Sequence, residues 1–110
     1  MEKDCLFCQI AAGSRDADIV YKDDDMVIFK DIHPQAPVHL LIVPVRHIRS
    51  VNDLGPEDGP LVSAMIARAR DTARDMTLDG SGYKLLFNVE RGGGQVIFHL
   101  HMHLMAGWKY

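Results

Sequence analysis

The chain is short of several things, and each shortage excludes a class of protein. No apolar run approaches the roughly eighteen residues needed to cross a bilayer, so a membrane-spanning role is not expected. The amino end, Met1-Glu2-Lys3-Asp4-Cys5, has neither the basic nor the apolar stretch of a secretory leader, which makes the cytoplasm the expected location. Basic residues are few: 12 Lys and Arg stand against 15 Asp and Glu, for a net charge of -3. A long polyanion bound through its phosphates needs a basic footprint, so nucleic acid is not an expected partner, although a small anionic ligand needs only a local pocket. Cysteine is limited to Cys5 and Cys8, too few for a disulfide scaffold but spaced as a redox pair or as half of a metal site.

What is present suits one packed core. With 110 residues, 47% hydrophobic and 25% charged, the sequence is expected to form a single domain over 1–110. Residues Cys5 to Ala12, stopped by Gly13, read as a short helix. Asp18–Lys22 and Met26–Lys30 are β-rich runs separated by three aspartates, a hairpin pattern with a solvated turn. Pro34-Gln35-Ala36-Pro37 interrupts regular structure, and the apolar run His39–Val43, closed by Pro44, reads as a central strand. From Pro56 to Met76 the period changes: Val62, Met65, Ile66, Ala69, Ala73 and Met76 form one stripe, predicting a long helix whose Arg68 and Asp71 make an exposed pair. Tyr83–Asn88 reads as a further strand and Arg91–Gln95 as a glycine-rich loop. Five strands joined by short turns, with one long helix and one short, predict an α+β antiparallel sheet.

Half of the six histidines fall in five residues, His99, His101 and His103. In a strand, alternate side chains share a face, so the spacing predicts three imidazoles on one side with Phe98, Leu100, Met102 and Leu104 buried on the other. At about 3.3 Å per residue the outer pair would lie roughly 13 Å apart, whereas zinc holds ligand nitrogens at about 2.0–2.1 Å, so one ion cannot take all three. The histidines must divide their labour. The preceding Gly92-Gly93-Gly94 can bring backbone N–H groups close to an anion, with Gln95 and Asn88 as neutral amide donors beside the histidine face.

Asp31-Ile32-His33-Pro34-Gln35-Ala36-Pro37-Val38-His39, then Asn88, then Gly93-Gly94-Gln95 leading into His99-Leu100-His101-Met102-His103, together resemble the histidine triad (HIT) nucleotide-binding proteins. The likeness runs from Cys5 to about Gly107 and is greatest to the branch that hydrolyses purine nucleoside 5′-phosphoramidates. It implies the HIT fold, a homodimer, and a mechanism in which His101 attacks the α-phosphate, expels an amine and leaves a nucleotidyl-histidine for water to hydrolyse. His103 is implied to hold the phosphate or help protonate the leaving amine, and His39 to complete the polar network. Asn88 and Gln95 are implied to position phosphate oxygens, with backbone N–H groups near Gly94 and Val96 stabilising charge. Asp31 corresponds to the residue on the ribose hydroxyls, and Phe7, Ile10, Phe29, Ile32 and Leu41 to the apolar positions around the purine.

Cys5, Cys8, His47 and His99 match the positions that complete a structural Cys2His2 zinc site in metal-binding members of the family, a site that would tether the amino-terminal helix to the histidine segment. No organic cofactor is implied. Val96 stands where relatives often carry a polar residue, which leaves only a backbone contact there, and His33 reads as a surface loop residue. A dinucleoside polyphosphate hydrolase is the rival enzyme, and a non-catalytic nucleotide-binding or zinc-scaffold protein the rival outside catalysis. The retained third histidine argues against the nucleotidyltransferase branch, which has glutamine there.

Overall fold

Strand β1 spans Ile19–Lys22, β2 Met26–Lys30, β3 Val38–Pro44, β4 Lys84–Leu86 and β5 Met102–Ala106, while α1 spans Leu6–Ala11 and α2 Gly59–Asp75. The computed structural model describes residues 5–108; Met1–Asp4, read above for a leader, lie outside them, as does the carboxyl end from residue 109. The strands form one antiparallel sheet in the order β1-β2-β3-β5-β4, the α+β architecture expected from the turn pattern. Among the described residues no helix is long and apolar enough to cross a membrane.

Alternation along the strands divides the core in two. Met26, Ile28, Leu40, Ile42, Met102 and Leu104 face α2, where they meet Met65, Ala69 and Ala73 from its apolar stripe. Val27, Phe29, Leu41 and Val43 face the other way and meet Phe7, Ile10 and Ala11 of α1. Ladder partners share a face, and Leu41 pairs with His103 while His39 pairs with Met105. His39 and His103 therefore lie on the α1 side. With 6 residues α1 is only about 9 Å long, whereas 7 residues of β3 run about 23 Å, so α1 cannot cover the whole face. The end of the sheet beyond the reach of α1 carries His39, which is buried, and His103, which is partly buried.

Three local expectations need correction. The strand expected across Phe98–Met105 begins only at Met102. Ladder pairing between β3 and β5 stops at Ile42 with Met102, and the chain before it bends away, its Leu100 N–H donating to the carbonyl of Ile48 at 2.6 Å instead. Phe98 is accordingly not a core residue: it is half-buried, with the Arg49 guanidinium 4.2 Å from its ring centre. The expected Arg68–Asp71 pair does not form either, because Arg68 stacks on Tyr21 at 4.2 Å and Asp71 bonds to Arg70 at 3.2 Å. Finally, α2 is preceded by a separate short turn, Pro56–Asp58, in which the Asp58 carboxylate accepts from the Gly55 N–H at 2.8 Å.

Candidate functional site

His39, His101 and His103 each meet a different neighbour, and the neighbours assign the ring protons. The Gln35 N–H donates to His39 Nδ1 at 3.0 Å, so in neutral His39 the proton sits on Nε2 and is donated to His103 Nδ1 at 2.8 Å. His103 then carries its own proton on Nε2, the one buried side-chain polar atom among the described residues with no hydrogen-bond partner. Such an atom is costly to keep unless something binds it. His101 is oriented the opposite way: its Nδ1 lies 2.7 Å from the carbonyl of His99, which can only accept, so Nδ1 holds the proton and Nε2 keeps its lone pair. The His101 and His103 ring centres are 5.0 Å apart, which places a free lone pair and a free N–H side by side.

Burial keeps these rings neutral. It is the leading cause of a depressed pKa at His101, and it pushes His103 down to about 4, helped by the neighbouring His101 and His39 rings. Asp31 opposes this weakly from the edge: its Oδ2 lies 3.5 Å from His39 Nε2 while Oδ1 accepts from the His33 N–H at 2.8 Å. Asp31, His39 and His103 are close enough to hold a cation, but the Gln35 N–H occupies the His39 Nδ1 lone pair and forces the proton onto Nε2, the atom a metal would need. That trio is built as a proton chain.

The glycine loop forms a tight turn at Arg91–Gly93, followed by Gly94 at φ +88°, a left-handed conformation in which a Cβ would also press to 3.3 Å from Asn88 Nδ2. Expected as phosphate-positioning amides, Gln95 and Asn88 are largely spent on the loop itself. Gln95, 3% exposed, donates to the carbonyls of Arg49 and Ile97 at 2.8 and 3.0 Å and accepts from the Glu90 N–H at 2.8 Å. Its amide has no donor left for a ligand, so the expected contact gives way to a supporting one. Asn88 Nδ2 donates to the Gly93 carbonyl at 2.8 Å and keeps a second hydrogen.

Of the five apolar positions expected around a base, Phe7, Ile10, Phe29 and Leu41 are packed into one cluster at 2–5% exposure. They form a floor. Only Ile32, 80% exposed, offers open contact surface at this edge, with Val96 exposed on the loop. Phe7 sets its ring edge-on to His101, the centres 5.0 Å apart and the planes at 87°.

The second cluster lies behind His101. Cys5 Sγ is 3.3 Å from His99 Nδ1, and Cys8 Sγ is 3.3 Å from His47 Nδ1 and 3.5 Å from His99 Nδ1. A tetrahedral ion with bonds of about 2.0–2.3 Å spaces its ligand atoms about 3.3–3.8 Å apart, so the separations suit zinc without rearrangement. The His99 ring is prepared for it: Nε2–H donates to the Pro44 carbonyl at 2.8 Å, which leaves Nδ1 as a lone pair facing both sulfurs, and burial lowers its pKa to about 4. All four expected ligands are thus brought together. Cys5 also caps α1, its sulfur accepting from the Cys8 N–H at 3.3 Å.

Comparison with known proteins settles the family. The family model described as the scavenger mRNA decapping enzyme C-terminal binding region matches residues 4–109. A HIT family hydrolase from Legionella pneumophila Philadelphia 1 superposes with a TM-score of 0.94 at 44% identity, over 96% of this chain and 95% of that one. The chain belongs to the histidine triad (HIT) family. Purine nucleoside phosphoramidase from Escherichia coli K12 is 40% identical to this HIT protein over 107 residues, covering 97% of this chain and 90% of the relative. A zinc-bound histidine triad family protein from Mycobacterium smegmatis is 28% identical, with a TM-score of 0.82 over 96% of this chain and 76% of that one.

Several groups that shape the site in this HIT protein carry no side-chain signal. The Gln35 amide and the carbonyls of Pro44 and His99 act through the backbone, which no residue type announces. Glu90 is different: it adopts φ 59° without being glycine, bonds Arg49 through its carboxylate at 2.9 Å and anchors the loop through its carbonyl. An acidic residue just before a glycine run, with an arginine after the central strand, was the available clue.

Proposed function

We propose that this HIT-family hydrolase cleaves purine nucleoside 5′-phosphoramidates, or related nucleoside monophosphate conjugates, through a nucleotidyl-His101 intermediate. The observation that carries the reading is the 2.7 Å contact between His101 Nδ1 and the His99 carbonyl, which leaves Nε2 as a neutral nucleophile at a fixed orientation. As Nε2 bonds to the α-phosphorus and the bond to the leaving nitrogen breaks, the ring becomes cationic and the same carbonyl strengthens its hold on Nδ1–H. The partnerless His103 Nε2–H is the donor for a phosphate oxygen or for the departing nitrogen. An anionic phosphoryl group there strengthens that Nε2–H bond while His103 stays neutral against His39 Nε2–H, and the departing nitrogen takes its proton from water as it leaves. His39 holds His103 in the required tautomer. Water then attacks the nucleotidyl-histidine and returns the free imidazole.

Under this reading Asp31 accepts the ribose hydroxyls, Ile32 covers the base above the Phe7, Ile10, Phe29 and Leu41 floor, and Asn88 with the backbone of Gly94 and Val96 cradles the phosphate. Gln95 supports that cradle. Cys5, Cys8, His47 and His99 hold one structural zinc, which supplies a cross-link between α1 and the segment before β5 and takes no part in bond breaking. The 40% identity to the Escherichia coli phosphoramidase supports the substrate class. We further propose a cytoplasmic homodimer formed by α2 and the sheet, where Ile66 is 46% exposed. Turnover of an adenosine phosphoramidate by wild type and His101→Ala, beside a diadenosine polyphosphate, tests the assignment. Equal rates for the two proteins would leave a nucleotide-binding module, and preference for the polyphosphate would give the runner-up activity. Metal analysis should return about one zinc per chain.

A further inference from the structure

The two clusters touch through His99. Its ring belongs to the cysteine cluster, yet its carbonyl is the acceptor that sets the His101 tautomer at 2.7 Å. A second connection runs through α1. Phe7 lies between the two cysteines in sequence and packs on the His101 ring at 5.0 Å, on His99 at 6.0 Å and on Phe29 at 5.4 Å. A helix of 6 residues has too few internal hydrogen bonds to persist alone, so its seat depends on what fastens it. Its apolar contacts are Phe7, Ile10 and Ala11, and its other fastening is the sulfur pair against His47 and His99.

We propose that metal occupancy of the Cys5, Cys8, His47 and His99 cluster works as a positioning switch on His101, acting through the His99 carbonyl and the Phe7 ring. The inference rests on His101 being the nucleophile and extends that reading. With the metal bound, His99 and α1 are fixed together, the carbonyl faces His101 Nδ1, and Nε2 is the only lone pair the ring presents. Without it, four ligand atoms lose the charge that draws them together and the His99 ring is held through Nε2 and the Pro44 carbonyl. The peptide carrying the His99 carbonyl is outside the β3–β5 ladder and is held on its other side by one backbone hydrogen bond, from the Leu100 N–H to the carbonyl of Ile48, the residue next to the ligand His47. His101 then exchanges between its two neutral tautomers, and only one of these is a nucleophile on the correct side. The cluster residues and Phe7 are positioning residues, since none of them reaches the reacting atoms.

The distinguishing signature is a loss in kcat that exceeds any rise in KM, because the ribose contact at Asp31 and the cover at Ile32 are untouched while only Phe7 and Ile10 of the floor under the base lie on α1. The test uses protein with 15N-labelled histidine at one neutral pH, in its zinc-loaded form, after chelation, and after zinc is returned. Ring nitrogen shifts of His101 should report a single Nδ1–H tautomer when loaded and a mixture when stripped. Turnover of adenosine phosphoramidate should fall about ten- to a hundredfold and recover with zinc, the size found when supporting shells of metal sites are disturbed. A stripped, folded protein with unchanged His101 shifts and kcat overturns the proposal. If stripping unfolds the chain, Phe7→Leu decides, because it keeps all four ligands and an apolar side chain while removing the ring that packs on His101. That variant should retain its zinc while His101 shows a second ring state and kcat drops about tenfold, as expected for a misplaced reacting group; wild-type shifts and kcat would overturn the coupling. Loaded protein without His101-dependent turnover would refute the hydrolase reading instead, and the tautomer comparison would still decide the coupling.

Discussion

Replacing Gln95 by methionine keeps the length and volume of the side chain and removes both of its polar ends. The wild-type amide makes three hydrogen bonds, to Arg49 O, Ile97 O and from Glu90 N, and the residue is 3% exposed. At about 1 kcal/mol net for each bond the direct loss is about 3 kcal/mol, and a group left buried without a partner costs a further 1–3 kcal/mol or so. The loop lies at the surface, so local opening lets water reach the abandoned carbonyls and caps the cost. We expect a loss of about 2–4 kcal/mol, a large share of the 5–15 kcal/mol or so that holds a domain of this size. In a urea titration followed by circular dichroism the midpoint should fall by about one to two molar at unchanged slope. If the loop opens locally, the midpoint moves less and exchange at the Gly93, Gly94 and Gln95 amides, bonded in wild type to Glu90 and Arg91 carbonyls, rises instead. An unfolding free energy within about 0.5 kcal/mol of wild type together with unchanged amide exchange would refute the supporting role given to this side chain.

Two further outcomes follow from the histidine geometry. His39→Phe keeps a ring on β3 but removes the donor to His103 Nδ1, so kcat for the phosphoramidate should fall about a hundredfold with little change in KM; turnover near wild type would show that His103 needs no partner. The pH dependence of stability has a defined sign. Native His103 titrates at about 4 while the unfolded chain takes up that proton at about 6.5, so stability is full at neutral pH, declines as pH falls from about 6.5 toward 4, and is flat for this group below that. Between pH 7 and 5 its share is at most about 2 kcal/mol, and His103→Gln should shrink the measured difference by that amount. An unchanged pH dependence in the variant would place the acid sensitivity elsewhere.

The elements that the sequence announced are those in which burial and period coincide. Met26–Phe29 and Leu40–Val43 are continuous apolar runs because both faces of the sheet are covered along them, and the 3.6-residue stripe Met65, Ala69 and Ala73 marks the side of α2 that meets the sheet. The histidine segment misled because alternation persists where the ladder does not. Val43 and Pro44 pair on β2 alone, and the Pro44 carbonyl goes to the His99 ring, so residues ahead of Met102 have no strand to pair with. Gln95 misled for another reason: its type is suited equally to a ligand and to two carbonyls, and only the path of the Arg49 and Ile97 backbone decides between them. The four metal-type residues were legible from the family resemblance because sulfur and imidazole have few reasons to gather otherwise. The Gln35 amide that orients His39 was not legible, since every residue but proline offers the same group.

Three copies of one side chain, spaced two apart, end up as three unlike reagents: His99 gives its hydrogen to the Pro44 carbonyl from Nε2, His101 gives its hydrogen to the His99 carbonyl from Nδ1, and His103 keeps a buried hydrogen that no neighbour accepts. Sliding the segment by two residues would keep the written motif intact while handing every ring the wrong surroundings. Grafting His-x-His-x-His onto a foreign sheet would accordingly transfer the letters without the reactivity, unless the flanking amide and carbonyl groups travelled with them.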